Sequence, residues 1–112
     1  HHRRSTMWRT LDTVAMTATT TGTGWLVERY TEAIVVVDVT AVSGTSPTLD
    51  ITVQTSADNS IWATLTTFTQ ITSVSTNIKF ISNIGKYVRV KYTIGGSSTP
   101  TFTMTSKISV KT

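Results

Sequence analysis

The chain offers little with which to do chemistry. Its two histidines, His1 and His2, stand together at the start, and cysteine is absent. General bases and nucleophiles are most often built from those two residue types. The acidic inventory is Asp12, Glu28, Glu32, Asp38, Asp50 and Asp58. These six are scattered and show no EF-hand spacing. Gly22-Thr23-Gly24 and Gly95-Gly96 lack the lysine and the strand-to-helix setting of a phosphate loop. The expectation is a non-enzyme with no catalytic residue, no metal and no cofactor. Without cysteine there is no disulfide framework and no zinc knuckle either.

Binding chemistry is better represented. The tryptophans are Trp8, Trp25 and Trp62. An exposed tryptophan on a β-sandwich can stack on sugar rings, so Trp62 and Trp25 define one alternative, a carbohydrate-binding module. Trp25 follows Gly24 and fits a core plug better than a platform. Trp62 follows Asp58-Asn59-Ser60 and fits a core cap equally well. Trp8 lies among Arg3, Arg4 and Arg9, with no acidic residue before Asp12. An apolar anchor beside arginines is the composition of a docking arm. Residues 1–10 are therefore expected to form an N-terminal arm that orders against a partner through Arg3, Arg4, Trp8 and Arg9. A His-His start fits either a tag remnant, with Met7 the native start, or a processed natural end.

The formal charge is +4 and the pI about 9.8. Without residues 1–6 the balance is 8 basic against 6 acidic, or +2. Basic residues do not cluster beyond the first nine positions, and no aromatic-plus-basic stacking motif occurs. Nucleic acid is not an expected partner. No apolar run approaches the roughly 18 residues of a membrane span. The longest, Ala33–Val37, suits a buried strand. No membrane contact is expected.

The elements that must carry these residues are strands. Threonine and serine supply 26 and 12 of the 112 residues, and charged residues only 14%. β-Branched residues favour a pleated, half-buried surface. The threonines keep no common register from strand to strand, so they read as filler of exposed strand positions rather than a ligand ladder. Alternation of period two predicts strands over Leu11–Thr19, Trp25–Tyr30, Ala33–Val42, Thr48–Ser56, Ile61–Phe68, Asn77–Ile81, Lys86–Ile94 and Thr101–Val110. Turn clusters separate them: Thr20–Gly24, Ser43–Pro47, Ala57–Ser60, Ser82–Gly85 and Gly95–Pro100. Inward positions are expected at Ala33, Val35, Val37, Val39 and Ala41. They continue at Leu49, Ile51 and Val53, at Val88, Val90, Tyr92 and Ile94, and at Phe102, Met104, Ser106, Ile108 and Val110. Ile78 and Phe80 share one face. Asp38, inside the most apolar strand, is expected to guard against edge pairing or to meet Arg89 or Lys91. The predicted architecture is all-β: one antiparallel β-sandwich, jelly-roll or immunoglobulin-like, over residues 11–112, with about seven to nine strands and essentially no helix. Sheet edges guarded by few charges and only Pro47 and Pro100 are expected to be covered by neighbouring copies, in a homo-oligomer.

Three segments also carry a family texture. They are VVVDVTAVSGTSPTLDITVQTS and the stretch after it to Ile71, then IGKYVRVKYTIGG, then TPTFTMTSKISV. Together they resemble small all-β structural proteins of tailed bacteriophages over about residues 34–110. The resemblance implies a capsid decoration (cement) or head-associated protein, or a tail component. It implies a trimer as the first oligomer to expect, contacts with the major capsid protein or other virion subunits, and a place in the phage particle after synthesis in the host cytoplasm. It carries over no site residue. The motif Tyr-Val-Arg-Val-Lys-Tyr also occurs in carbohydrate-binding sandwiches, which keeps the sugar-binding alternative open.

Overall fold

The computed structural model describes residues 6–16, 20–22, 24–27 and 30–111, the first of these segments as backbone only. Every regular element in them is a strand: β1 (Thr6–Met16), β2 (Thr20–Thr21), β3 (Trp25–Leu26), β4 (Glu32–Ser56), β5 (Ala63–Thr67), β6 (Ser75–Ser82) and β7 (Tyr87–Lys111). They form one antiparallel sheet. The two 25-residue strands, β4 and β7, pair along their length and make its spine. On the far side of β7 lie β1, β2 and β3; on the far side of β4 lie β6 and β5.

The sheet is curled. A straight strand of 25 residues would run about 80 Å, yet the longest dimension of the molecule is 54 Å. The bend sits where the β4–β7 register slips, between Val39 and Ala41 and again around Thr45. Ser43 stands opposite Thr101 and Thr45 opposite Ser97, so unpaired residues bulge from both strands. Backbone signs agree: Gly44 (φ +105°), Ser46 (φ 47°), Gly96 (φ +118°), Ser98 (φ 59°) and Thr99 (φ 52°) all lie in the left-handed region. A bulge adds local twist and bends its strand. Two facing bulged segments turn the whole ladder. The Tyr92 hydroxyl then donates to the Ser106 hydroxyl oxygen at 2.6 Å. On a flat strand those residues would stand about 46 Å apart.

The core follows the alternation. Val35, Val37 and Val39 meet Leu49, Ile51 and Val53 of the same strand, and Val88, Val90 and Tyr92 meet Phe102, Met104, Ile108 and Val110. All of these are buried. Ser106, on the same inward face, is buried too and satisfied by Tyr92. Phe68 and Ile71 close one side. Ile71 exchanges backbone hydrogen bonds with Leu49 at 2.8 and 2.9 Å.

Several boundaries differ from the sequence expectation, each for a stated reason. The turn clusters Ser43–Pro47 and Gly95–Pro100 do not end strands. They face each other across the ladder, so four predicted strands merge into two. The first strand starts at Thr6 rather than Leu11, because Thr6–Thr10 pair with Lys107–Lys111 of β7. The expected strand positions Thr17, Ala18 and Thr19 lie outside the described residues. Thr20 and Thr21 pair with Tyr92 and Lys91 instead of looping freely. Ala41 is exposed, not inward: the slip after Val39 shifts the phase, and Val42 packs on the core in its place. Ile94 is half-buried against the core. The Ala57–Ser60 hairpin loop forms as expected, with Asn59 left-handed (φ 62°).

Candidate interaction surface

The inward face of the sheet is consumed by the core, so any contact surface must be sought on the outer face, at the edges and in the loops. In β4 the outward residues Ile34 and Val36 are themselves apolar and half-buried. Strand register places Phe80 opposite Ile34 and Ile78 opposite Val36. Opposite residues in an antiparallel pair share a face, with Cβ atoms about 5 Å apart. Ile78 remains 53% exposed and Phe80 76% exposed. The four form an apolar outer patch at the edge strand β6. An open groove of about 330 Å³ borders it, lined by Leu65, Thr66, Phe80, Ile81, Ser82 and Asn83.

Charges border this patch on three sides: Lys107 of β7 stands opposite Val36, and Glu32 and Asp38 flank it along β4. Asp38 is exposed on the same outer face and accepts a hydrogen bond from the Thr76 hydroxyl at 3.1 Å. The expectation that Asp38 guards against edge pairing or meets Arg89 or Lys91 is therefore corrected: it lies in a central strand between Thr76 and Thr105. Opposite it in β6 stands Thr76, and Arg89 is engaged in the other arm of the spine.

Arg89 belongs to a second cluster. Its guanidinium lies 4.1 Å from the centre of the Trp62 ring, while its Nε donates to Gln54 Oε1 at 2.7 Å. A cation over an aromatic face is attracted by the ring quadrupole. One face of Trp62 is thus covered by the protein itself, and Gly24 lies against the ring edge. Trp25 is half-buried and packs on the core.

The Asp58 loop is held by its own side chains. Asp58 Oδ1 accepts from the Ser60 and Ile61 amides, both at 2.9 Å, and from the Ser56 hydroxyl at 3.0 Å. Ser56 Oγ in turn accepts from the Asn59 amide at 2.9 Å. These donors, the Ile61 amide foremost, hold the Asp58 carboxyl below its ordinary value of 3.8. This is loop closure, an Asx-type turn, and it aims no group at a ligand.

The expected arm residues are placed in part. Trp8 and Arg9 lie in β1, opposite Ser109 and Ile108 of β7; their side chains lie outside the described residues, as do Arg3 and Arg4 entirely. Glu28 and Arg29 also lie outside them. Among the described residues, no three acidic or histidine side chains come close enough to hold a metal ion. Sequence reasoning put Ile78 and Phe80 on one face but did not single them out as a surface. The signal was present: β6 is apolar outward at Ile78 and Phe80 and also inward at Ile81, more than a lone edge strand needs. Neither family models, nor curated proteins, nor solved structures provide a match to this chain.

Proposed function

We propose that this chain is a non-enzymatic structural protein that works by packing against other protein subunits, as a capsid decoration or cement protein of a tailed phage does. The observation that carries the reading is the apolar outer patch of Ile34, Val36, Ile78 and Phe80 on an edge strand. Scattered exposed apolar residues are ordinary, but contiguous ones mark contact sites. Around it Thr76, Ser82, Thr105 and Ser109 alternate with Glu32, Asp38, Lys107 and Lys111, as in the polar rim around an apolar contact. The phage-like texture of residues 34–110 supports the setting: a virion protein that meets its own copies and the major capsid protein. In the same reading the curled sheet is a β-sandwich, its two arms folded face to face across the Tyr92–Ser106 contact.

Two experiments test this. Purified protein is mixed with phage heads that lack it, and co-sedimentation is measured for the native chain and for Phe80→Asp. Binding by the native chain and its loss in the variant are expected; no binding by either rejects the head role. Electron microscopy of labelled particles then separates head from tail, since a tail component would use the same contact chemistry. The sugar-binding alternative predicts saturable quenching of tryptophan fluorescence by oligosaccharides, lost in Trp62→Ala. The subunit-packing reading expects no quenching.

A further inference from the structure

We propose that β6 is a self-pairing edge, through which two copies of the chain join β6 to β6 antiparallel about a two-fold axis at Ile78. This rests on reading the apolar patch as a subunit contact, and it names the occupant, a second copy. β6 pairs with β4 on one side, and among the described residues no strand pairs with its other side. Every second residue of the strand therefore directs its N–H and C=O outward. Of the usual protections of an edge, β6 has one: Lys79, half-buried opposite Val35 on the inward face. β6 contains no proline, its ladder with β4 has no bulge, and its only charge is Lys79.

Unpaired strand groups are satisfied in full by another strand, and the side chains of β6 select which one and in which register. Centred on Ile78, antiparallel self-pairing sets Ile78 against its own copy, Thr76 against Phe80 and Asn77 against Lys79. No like charges face each other. Ser75 to Ile81 all find partners, leaving Ser82 alone among the residues of β6 unpaired. Both apolar patches fall on the same side of the merged sheet, where they become one surface. Centring on Lys79 instead places two ammonium groups directly opposite, which is destabilising. Centring on Asn77 or Phe80 strands three residues of β6 beyond the pairing. A register offset by half a step puts the two patches on opposite sides of the sheet. One register alone meets the charge, length and burial conditions together.

The contact is modest. A standard interface buries about 800 Å² per partner, more than one eight-residue edge supplies, so self-association on the order of micromolar is expected. Such a dimer fills at the local concentrations of an assembly. It is two-fold and isologous, in contrast to the trimer implied by resemblance.

The absence of cysteine makes the test clean. Ile78→Cys introduces a single thiol whose two-fold mate is within disulfide reach. Thr76→Cys introduces one whose mate sits about 13 Å away along the strands. Mild oxidation should link Ile78→Cys into a covalent dimer at least tenfold faster than Thr76→Cys. Sedimentation equilibrium should show a reversible dimer for the native chain, and Ile78→Lys should raise its dissociation constant at least tenfold with the far-UV circular dichroism unchanged. Equal cross-linking at both positions, a monomer at every concentration, or a trimer overturns self-pairing. In that event Phe80→Asp separates the two claims. Lost binding to phage heads keeps the patch as a contact with a different occupant, and unchanged binding removes the contact reading as well.

Discussion

The Tyr92–Ser106 hydrogen bond is a fully buried polar contact among apolar side chains, and it ties together residues on either side of the bend. A buried hydroxyl pair contributes modestly while made and costs more when half of it is removed. Tyr92→Phe is expected to lower stability by about 1–3 kcal/mol in urea denaturation, since Ser106 loses this partner inside the core. Adding Ser106→Ala to that variant should cost less than the two changes taken singly. At the surface, Asp58 gives a pH-dependent signature. Its carboxyl is held below 3.8 by the amides of Ile61 and Ser60 and by the Ser56 hydroxyl. A depressed folded value stabilises the loop above the unfolded value, and that stabilisation is lost as pH falls through the folded one. Carbon-13 titration of Asp58 should therefore give a midpoint under 3.8. A midpoint at or above that value would show that the turn is not closed by the carboxylate.

Strands β4 and β7 show how a local irregularity becomes architecture. Neither bends by itself; the bulged segments stand opposite one another and turn as a pair. Gly44 and Gly96 are the positions where this demands glycine. Both have φ near +110°, and a Cβ on Gly44 would lie 2.7 Å from the Pro100 Cα. Gly44→Ala should therefore destabilise by more than about 1 kcal/mol, read as a lower denaturation midpoint. Ser98 stands in the same corner at φ 59°. There Ser98→Gly removes a Cβ from a left-handed site and should leave the midpoint unchanged or raise it. A lower midpoint for Ser98→Gly would mean that side-chain contacts, not backbone conformation, hold the corner. β6 carries the opposite lesson. Its ladder with β4 is regular, and regularity leaves an edge able to accept a further strand.

At the scale of the whole molecule, nearly every stabilising contact joins distant parts of the chain. Thr6 pairs with Lys111, and Glu32 with both Ser82 and Lys111. Closing such loops costs entropy before any contact rewards it. Refolding from urea should accordingly take milliseconds to seconds, as in other strand-dominated domains. Microsecond refolding would contradict this topology. Half of the net charge of +4 comes from Arg3 and Arg4, and the charges around the patch balance, Glu32 and Asp38 against Lys107 and Lys111, so association through the β6 edge should depend little on screening. Raising sodium sulfate should strengthen self-association, because excluded salts favour apolar burial. Dissociation by salt would instead point to charge pairing.

The pleat is a local property, and the sequence alone determined what depends on it. Alternation placed Val35, Val37 and Val39, Leu49 to Val53, Val88 to Tyr92 and Phe102 to Val110 on one buried face, and it left the chain without a helix among the described residues. Turn chemistry marked Ser43–Pro47, Ala57–Ser60 and Gly95–Pro100, and all three are irregular in the structure. What those irregularities do is not local. The same Gly, Ser and Pro cluster can reverse a chain or bend a ladder, and the choice depends on what stands opposite. Only the pairing of Thr45 with Ser97 and Ser43 with Thr101 made two turns into one corner. In the same way, alternation put Ile78 and Phe80 on a common face, but their exposure follows from β6 having a neighbour on one side alone. The cover over Trp62 likewise required Arg89, 27 positions away in sequence, to arrive across the sheet. Strand partners are set by long-range burial and register, and one chain's local pattern does not encode them.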